Sequence, residues 1–149
     1  MITVAPGDPR ELEATALLKA SHALMQSLFP PEDNFYLDID ALLSPSVRFF
    51  VARKAATTVG TGALALKEGY GEVKSMFVAQ AARGLGVAGA LLEAIESAAR
   101  EAGLPALKLE TGDVLHAAHR LYRRHGFSDC PRFGDYPEAN SSIFMEKLL

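Results

Sequence analysis

Apolar positions recur along this chain with two different periods, and their order outlines the fold. Residues 2–5 form a short apolar run, which predicts a first strand. Asp8-Pro9-Arg10-Glu11 reads as a helix start. Asp8 can cap, Pro9 suits the first helical position, and Glu11 stands where a capping box places its acid. Leu12, Ala16, Leu24 and Leu28 then follow at helical spacing, and the helix stops at Pro30-Pro31. Residues 32–46 carry the aromatics Phe35 and Tyr36 and predict a short helix around residues 38–43. Residues 47–53 and 59–66 are rich in apolar and β-branched side chains, which predicts two strands joined by a turn over 54–58. A second turn over 67–71 leads into a third strand over 72–78.

The pattern then changes period. After a glycine-rich segment, Val87, Leu91, Ala94, Ile95 and Ala98 fall on one stripe of a helix that Gly103 and Pro105 terminate. Residues 106–111 are an apolar strand that carries Glu110. Asp113 can cap the next helix, in which Val114, Ala117, Ala118, Leu121 and Tyr122 share a face. His116, His119, Arg120, Arg123 and Arg124 cover the other side, and Gly126 closes the helix. Residues 127–130 and 142–148 are final short strands, separated by a loop with Pro131, Gly134 and Pro137. Hairpin-linked strands pair antiparallel, whereas the strand–helix–strand unit over 72–111 requires one parallel pair. The expected fold is an α/β domain with a mixed, mostly antiparallel sheet and helices on both faces.

Composition narrows the function classes. The 149 residues suit a single domain over 1–149, 49% of them apolar and 22% charged. A net charge of −3 gives no reason to expect nucleic-acid binding. The single cysteine, Cys130, leaves no internal disulfide and suits a reducing, cytoplasmic setting. The N-terminus lacks the basic and apolar regions of a signal peptide, and no apolar run approaches membrane-span length. His116 and His119 lack a carboxylate at metal-ligand spacing and read as solvated surface, so no metal site is expected. His125 reads as a helix C-terminal residue that favours the dipole.

The glycine segment carries the chemistry. Several backbone N–H groups converge at a glycine-rich helix start, where the helix dipole adds positive potential, and this is a phosphate site in waiting. Gly84-x-Gly86-x-x-Gly89 formally matches a dinucleotide fingerprint, with Glu110 at the end of the next strand. Its context fails. Residues 79–83 separate the strand from the first glycine, three hairpin-linked strands come before it, and too little chain follows for a second nucleotide-binding half. No Gly-Lys-Ser/Thr is present for a P-loop either. The alternative register is Arg83-x-x-Gly86-x-Ala88, after Met76-Phe77-Val78 and before a long amphipathic helix. It resembles the acetyl-CoA motif of the GNAT N-acetyltransferase superfamily. Ala118-x-x-Leu121-Tyr122-x-x-x-Gly126-Phe127 is similar to that family's next motif, at a fitting separation.

This resemblance implies a sheet that splays between strands 72–78 and 106–111, with acetyl-CoA as co-substrate in the gap. Backbone groups of Met76, Phe77 and Val78 would meet the pantetheine and the acetyl carbonyl. N–H groups of Arg83, Gly84, Leu85, Gly86, Val87 and Ala88 would cradle the pyrophosphate, with Arg83 adding charge. Tyr122 would protonate the departing thiolate. The resemblance implies Glu72 as general base, and Glu110 or a water relay stays open for that role. Glu110 reads first as a structural carboxylate that holds the next turn. One departure is Leu115, where the family often has an amide side chain. Arg120, Arg123 and Arg124 read as a solvated face, with the 3′-phosphate of CoA as the alternative. Phe35, Tyr36, Phe133 and Tyr136 would wall the acceptor site, with loop anchors packed onto the sheet as the alternative reading. The expected activity is direct acetyl transfer to the primary amine of a small molecule or amino-acid-like acceptor. The alternatives are a protein or peptide N-acetyltransferase and a non-catalytic acetyl-CoA-binding module. A homodimer through the C-terminal strands is an expectation of the family alone.

Overall fold

The computed structural model describes all residues, Met1–Leu149. Seven strands form one sheet in the order β1-β2-β3-β4-β5-β7-β6. They are β1 (Ile2–Pro6), β2 (Val47–Lys54), β3 (Thr57–Lys67), β4 (Tyr70–Val78), β5 (Ala106–Gly112), β6 (Ser128–Asp129) and β7 (Ser142–Leu148). The helices are α1 (Leu12–Leu28), α2 (Val87–Glu101) and α3 (His116–Arg124). Every neighbouring pair is antiparallel except β4 with β5. This is the expected mixed sheet, with tighter hairpins than the sequence suggests. Strands β2 and β3 turn through Ala55 and Ala56, with Ala55 at φ 55°, and the β3–β4 turn closes on Gly69 at φ 85°.

The strands alternate between two cores. On one face Phe49, Val51 and Ala63 pack with Ala14 and Leu18 of α1. On the other, Phe50, Ala52 and Leu64 join Val87, Leu91, Ile95 and Ala99 of α2. Period-two side chains buried on both faces are what a central sheet between helical layers requires.

Three local expectations need correction. First, α1 buries Ala14 and Leu18, while Leu12 is 87% exposed and Leu24 and Leu28 are also exposed. The predicted stripe is a set of large side chains. The sheet beneath is crowded by Phe49 and Val51, and the helix approaches it with a small residue instead. Second, the Asp8–Glu11 capping pair forms but governs a single turn. The Asp8 carboxylate accepts from the Arg10 N–H (2.8 Å), and Glu11 accepts from the Asp8 N–H (3.3 Å). Glu11 then turns to ψ 143°, and the α-helix starts at Leu12. Third, Asp113 does not cap α3. Leu115 occupies that position without a side-chain cap, and the Asp113 N–H donates to the Ser141 carbonyl.

Two features of β4 position the site. It pairs with β5 only at Gly71–Leu107 and Glu72–Lys108. Beyond Glu72 the strands part, so the edge of β4 that faces β5 has backbone groups without a strand partner. A register shift opposite residues 61–63 of β3 marks a bulge at Ser75, which takes φ 57°, and the Thr61 hydroxyl donates to the Ser75 carbonyl (2.8 Å). The wedge opens at the carboxyl ends of two parallel strands, where open α/β sheets form ligand crevices.

Candidate active site

A cleft of about 730 Å³ occupies the wedge. Met76, Phe77 and Val78 form one side, and Leu115, Ala118, Leu121 and Tyr122 form the other, at and just before α3. Its end is the turn before α2. Gly84 (φ 81°) and Gly86 (φ 80°) hold left-handed conformations that an L side chain rarely adopts. They aim the chain so that α2 begins at Val87 with its first N–H groups free; the first helical bond runs from Ala90 to the Gly86 carbonyl (3.1 Å). A Cβ built on Gly84 or Gly86 meets nothing within 4 Å. The turn is therefore an open cradle of N–H donors, suited to a pyrophosphate.

Of the residues expected at the cradle, Arg83, Gly84, Gly86, Val87 and Ala88 line the cleft, together with Gly89. Leu85 is not on its wall and points to solvent. The Arg83 guanidinium lies over the Phe77 ring (6.0 Å to its centroid), and its Nε donates to the Val78 carbonyl (3.5 Å). Of the basic residues on α3 that the sequence singles out, Arg124 lines the cleft, whereas Arg123 pairs with Asp129 (3.2 Å).

A smaller pocket of about 150 Å³ adjoins the cleft. Met25, Met76, Leu115, Ala118 and Tyr122 line both. Beyond them its wall comes from Phe29, Asn34, Phe35 and Tyr36 after α1, Lys74 and Ser75 on β4, and Glu110 and Gly112 on β5. Tyr122 is 7% exposed with its ring edge against Phe127. Burial pushes its phenol well above the ordinary tyrosine value, and the Glu110 carboxylate adds to the shift. Tyr122 is thus a protonated donor at every working pH.

Both candidate carboxylates lie near this pocket but in different states. Glu72 is 5% exposed, and Tyr136 donates a short hydrogen bond to its Oε2. Lys74 Nζ stands 3.7 Å from the same oxygen and donates to Tyr136 Oη and to the Phe35 carbonyl, both at 2.8 Å. Burial lowers the Lys74 pKa, partly offset by Glu72 and Glu110. It also raises the Tyr136 phenol, with the Glu72 charge next in effect. Glu72 is not on the wall shared with Tyr122; it faces a separate hollow lined by Lys67, Tyr70 and Tyr136. Glu110 is on that wall. Burial raises its carboxyl above the usual range, against a 2.7 Å hydrogen bond from Ser142 Oγ and the Lys74 charge. No backbone N–H holds it in the manner expected of a turn-stabilising acid.

Sequence reasoning missed Lys74, Asn34 and Ser75. The signal for Lys74 and Ser75 was an interruption of apolar β4 by consecutive polar residues. His119 is also corrected: it is 8% exposed rather than solvated, with its Nε2 2.8 Å from the Gly112 carbonyl. That contact pins α3 to the end of β5. Val114 and Ala117 are exposed instead, so the buried face of α3 is rotated from the predicted one. No group of three or more His, Cys, Asp or Glu is placed to hold a metal ion. No helix is long and apolar enough to cross a membrane.

Gly112 sets the pocket's closest approach. A Cβ there would collide with Phe29 Cζ. Gly112→Ala is expected to lower stability by about 1–3 kcal/mol in denaturant titration, because the buried ring must be displaced. Phe29→Leu in the same background should recover part of the loss.

The comparisons agree with this geometry. The sequence model of the acetyltransferase (GNAT) family matches residues 14–127. A protein named IAA acetyltransferase from Azospirillum brasilense is 44% identical over 150 residues, which cover 99% of this chain and 98% of that protein. A Klebsiella pneumoniae crystal structure assigned as an acyl-CoA N-acyltransferase superposes with a TM-score of 0.86 at 34% identity, covering 100% of this chain and 98% of the other. A GNAT family acetyltransferase from Elizabethkingia anophelis, solved with acetyl-CoA bound, superposes with a TM-score of 0.75 at 22% identity, covering 99% and 98%.

Proposed function

This chain belongs to the acetyltransferase (GNAT) family and is an N-acetyltransferase, and from that premise we propose that it moves an acetyl group from acetyl-CoA directly to the primary amine of a small-molecule acceptor. The observation that carries the reading is the junction of two cavities at Tyr122 and Met76. One cavity ends in an N–H cradle of the kind a pyrophosphate needs. The other is too small for more than the reacting end of an acceptor. The Elizabethkingia neighbour, which holds acetyl-CoA on the same fold, supports the same assignment.

Acetyl-CoA supplies the activated acyl group as a thioester. In this reading Met76, Phe77 and Val78 offer the unpaired backbone edge of β4 to the pantetheine arm and an N–H to the developing oxyanion. The N–H groups over residues 84–88 receive the pyrophosphate, because the Arg83 N–H, expected there too, already donates to the Gln80 carbonyl (3.3 Å). Tyr122 gives its proton to the sulfur as the C–S bond breaks. The proton of the attacking amine goes to Glu110 in preference to Glu72. Glu110 shares a wall with Tyr122 and is raised toward working pH by burial, whereas Tyr136 and Lys74 already occupy Glu72. Glu72 then serves as an anchor that, with Lys74, ties β4 to the two loops around the acceptor.

Thiol release from acetyl-CoA, followed with an amine library, tests the reading. Tyr122→Phe is expected to lower kcat by about a hundredfold, with KM for acetyl-CoA within about twofold. Unchanged kcat would remove Tyr122 from the chemistry. Acetylation of protein N-termini or lysines at the expense of free amines would replace the small-molecule acceptor by a polypeptide. IAA, named for the Azospirillum relative, belongs in the same library.

A further inference from the structure

The unmet hydrogen-bonding capacity of buried side chains is concentrated at the acceptor pocket. Two buried side-chain oxygens have no partner, Asn34 Oδ1 and Ser75 Oγ, and both residues line this pocket. Asn34 is locked in orientation, because its Nδ2 donates to the Phe29 carbonyl (3.2 Å) and the Pro30 carbonyl (3.1 Å). Its oxygen is therefore an acceptor that cannot turn away. Glu110 adds a carboxylate to the same wall, and Asp33 adds a second, whose Oδ2 accepts from Ser141 (3.0 Å). Buried acceptors without donors are costly, so a group rich in N–H donors is what the pocket lacks.

The Ser75 hydroxyl can also donate, but no free positive charge faces the pocket. Lys74 is the only cation on the wall, and its ammonium is engaged by the Phe35 carbonyl, Tyr136 Oη and Glu72. A carboxylate brought in beside the reacting amine would lose its water and meet Glu110 and Asp33 without a free positive partner. Space restricts the ligand as well. About 150 Å³ holds roughly five water-sized groups. Phe29, Phe35 and Tyr36 enclose it, and Tyr36 is fixed by stacking on His22 (4.0 Å between centroids) and by a 2.8 Å hydrogen bond from Gln26.

We propose that the acceptor is a primary amine on an unbranched methylene, with no carboxylate beside it, whose ammonium is seated by Glu110, Asn34 Oδ1 and Ser75 Oγ; this assignment rests on the acetyl-transfer reading above. The ammonium enters with three N–H donors, matching the acceptors on the wall. Glu110 takes the first proton and frees the lone pair. The C–N bond forms, the C–S bond breaks, and the nitrogen's second proton passes to Glu110, which has released the first to solvent. Tyr122 protonates the sulfur and is reprotonated from solvent. The sum is an amide, a thiol and one released proton for each ammonium consumed.

Matched pairs that differ only by the carboxylate test this directly: propylamine against 2-aminobutyrate, and phenethylamine against phenylalanine, with a short peptide amide alongside. Thiol release should favour the amine of each pair by about a hundredfold in kcat/KM. Ser75→Ala should raise KM for the amine about tenfold, while CoA affinity by calorimetry stays unchanged and the melting temperature stays the same or rises, because the lost hydroxyl is buried without a protein partner. Equal or better use of the amino acids or the peptide overturns the acceptor assignment and leaves acetyl transfer standing. CoA binding without thiol release on any compound overturns the acetyl-transfer reading and this assignment with it. An unchanged KM in Ser75→Ala overturns the seating of the ammonium.

Discussion

Glu110→Gln is expected to lower kcat/KM for amine acetylation by about a thousandfold while leaving the protein as stable as before or more so. The kinetic loss follows from removing the carboxylate that shares a wall with Tyr122, since a positioned base contributes about 10²–10⁴-fold. The stability effect follows from burial, which raises the folded carboxyl above its ordinary value of 4.5. A raised folded pKa contributes stability below the unfolded value, and that contribution disappears as pH rises through the folded value. At neutral pH the ionised carboxylate is therefore a burden that the amide removes, and the amide oxygen can still accept from Ser142. Melting curves should place the variant at or above the native enzyme at pH 7, with the gap closing below pH 4.5. The acid limb of the native pH–rate profile should also vanish in the variant. A variant that kept native kcat/KM would return the base role to Glu72 or to a water relay.

Gly86→Leu should weaken CoA binding by about a thousandfold in calorimetry. Gly86 is the N-cap of α2 with φ 80° and ψ 14°, and an L side chain there costs about 1–2 kcal/mol if the turn is kept. Escape from that strain rotates the N–H groups of Val87 and Ala88 away from the phosphates. Two charge-assisted hydrogen bonds of about 1.5–3 kcal/mol each account for the expected loss. A Cβ at this position meets no protein atom within 4 Å, so the fold should survive. Far-UV circular dichroism and the melting temperature separate loss of binding from loss of structure. Native CoA affinity in a folded Gly86→Leu would show that the pyrophosphate lies elsewhere.

What the sequence disclosed divides along a physical line. The turn before α2 was legible because its information is local: glycines at left-handed positions and a helix whose stripe begins immediately afterwards. Val87, Leu91 and Ile95 of that stripe are buried, and Ala94 and Ala98 pack at the margin of the core. Leu92 and Ala99 are buried as well, because the sheet wraps further round α2 than its narrow stripe implies. The face of α1 was not legible, because the choice between Ala14–Leu18 and Leu12–Leu28 depends on Phe49 and Val51, which lie far along the chain. The acceptor pocket was the least legible part. Asn34, Ser75 and Glu110 come from three separate segments, and only the bulge at Ser75 and the parting of β4 from β5 bring them to one wall. Phe35 and Tyr36 stand on that wall, since aromatics in loops beside a sheet end have few other places to pack, whereas Tyr136 reaches it only through Lys74.

The two-pair seam between β4 and β5 has a consequence for how such a protein can diversify. It divides the sheet into two plates, β1–β4 and β5–β7–β6. The segment after α1 is rooted in the first plate and the loop before β7 in the second, and Lys74 reaches from β4 to both through Phe35 and Tyr136. The turn over residues 83–88, the proposed phosphate cradle, lies outside both loops. Mutations that rewrite them can change which compound is accepted without disturbing the part that holds the acyl donor. In the proposed reading, acceptor choice and donor binding thus rest on separate parts of this architecture.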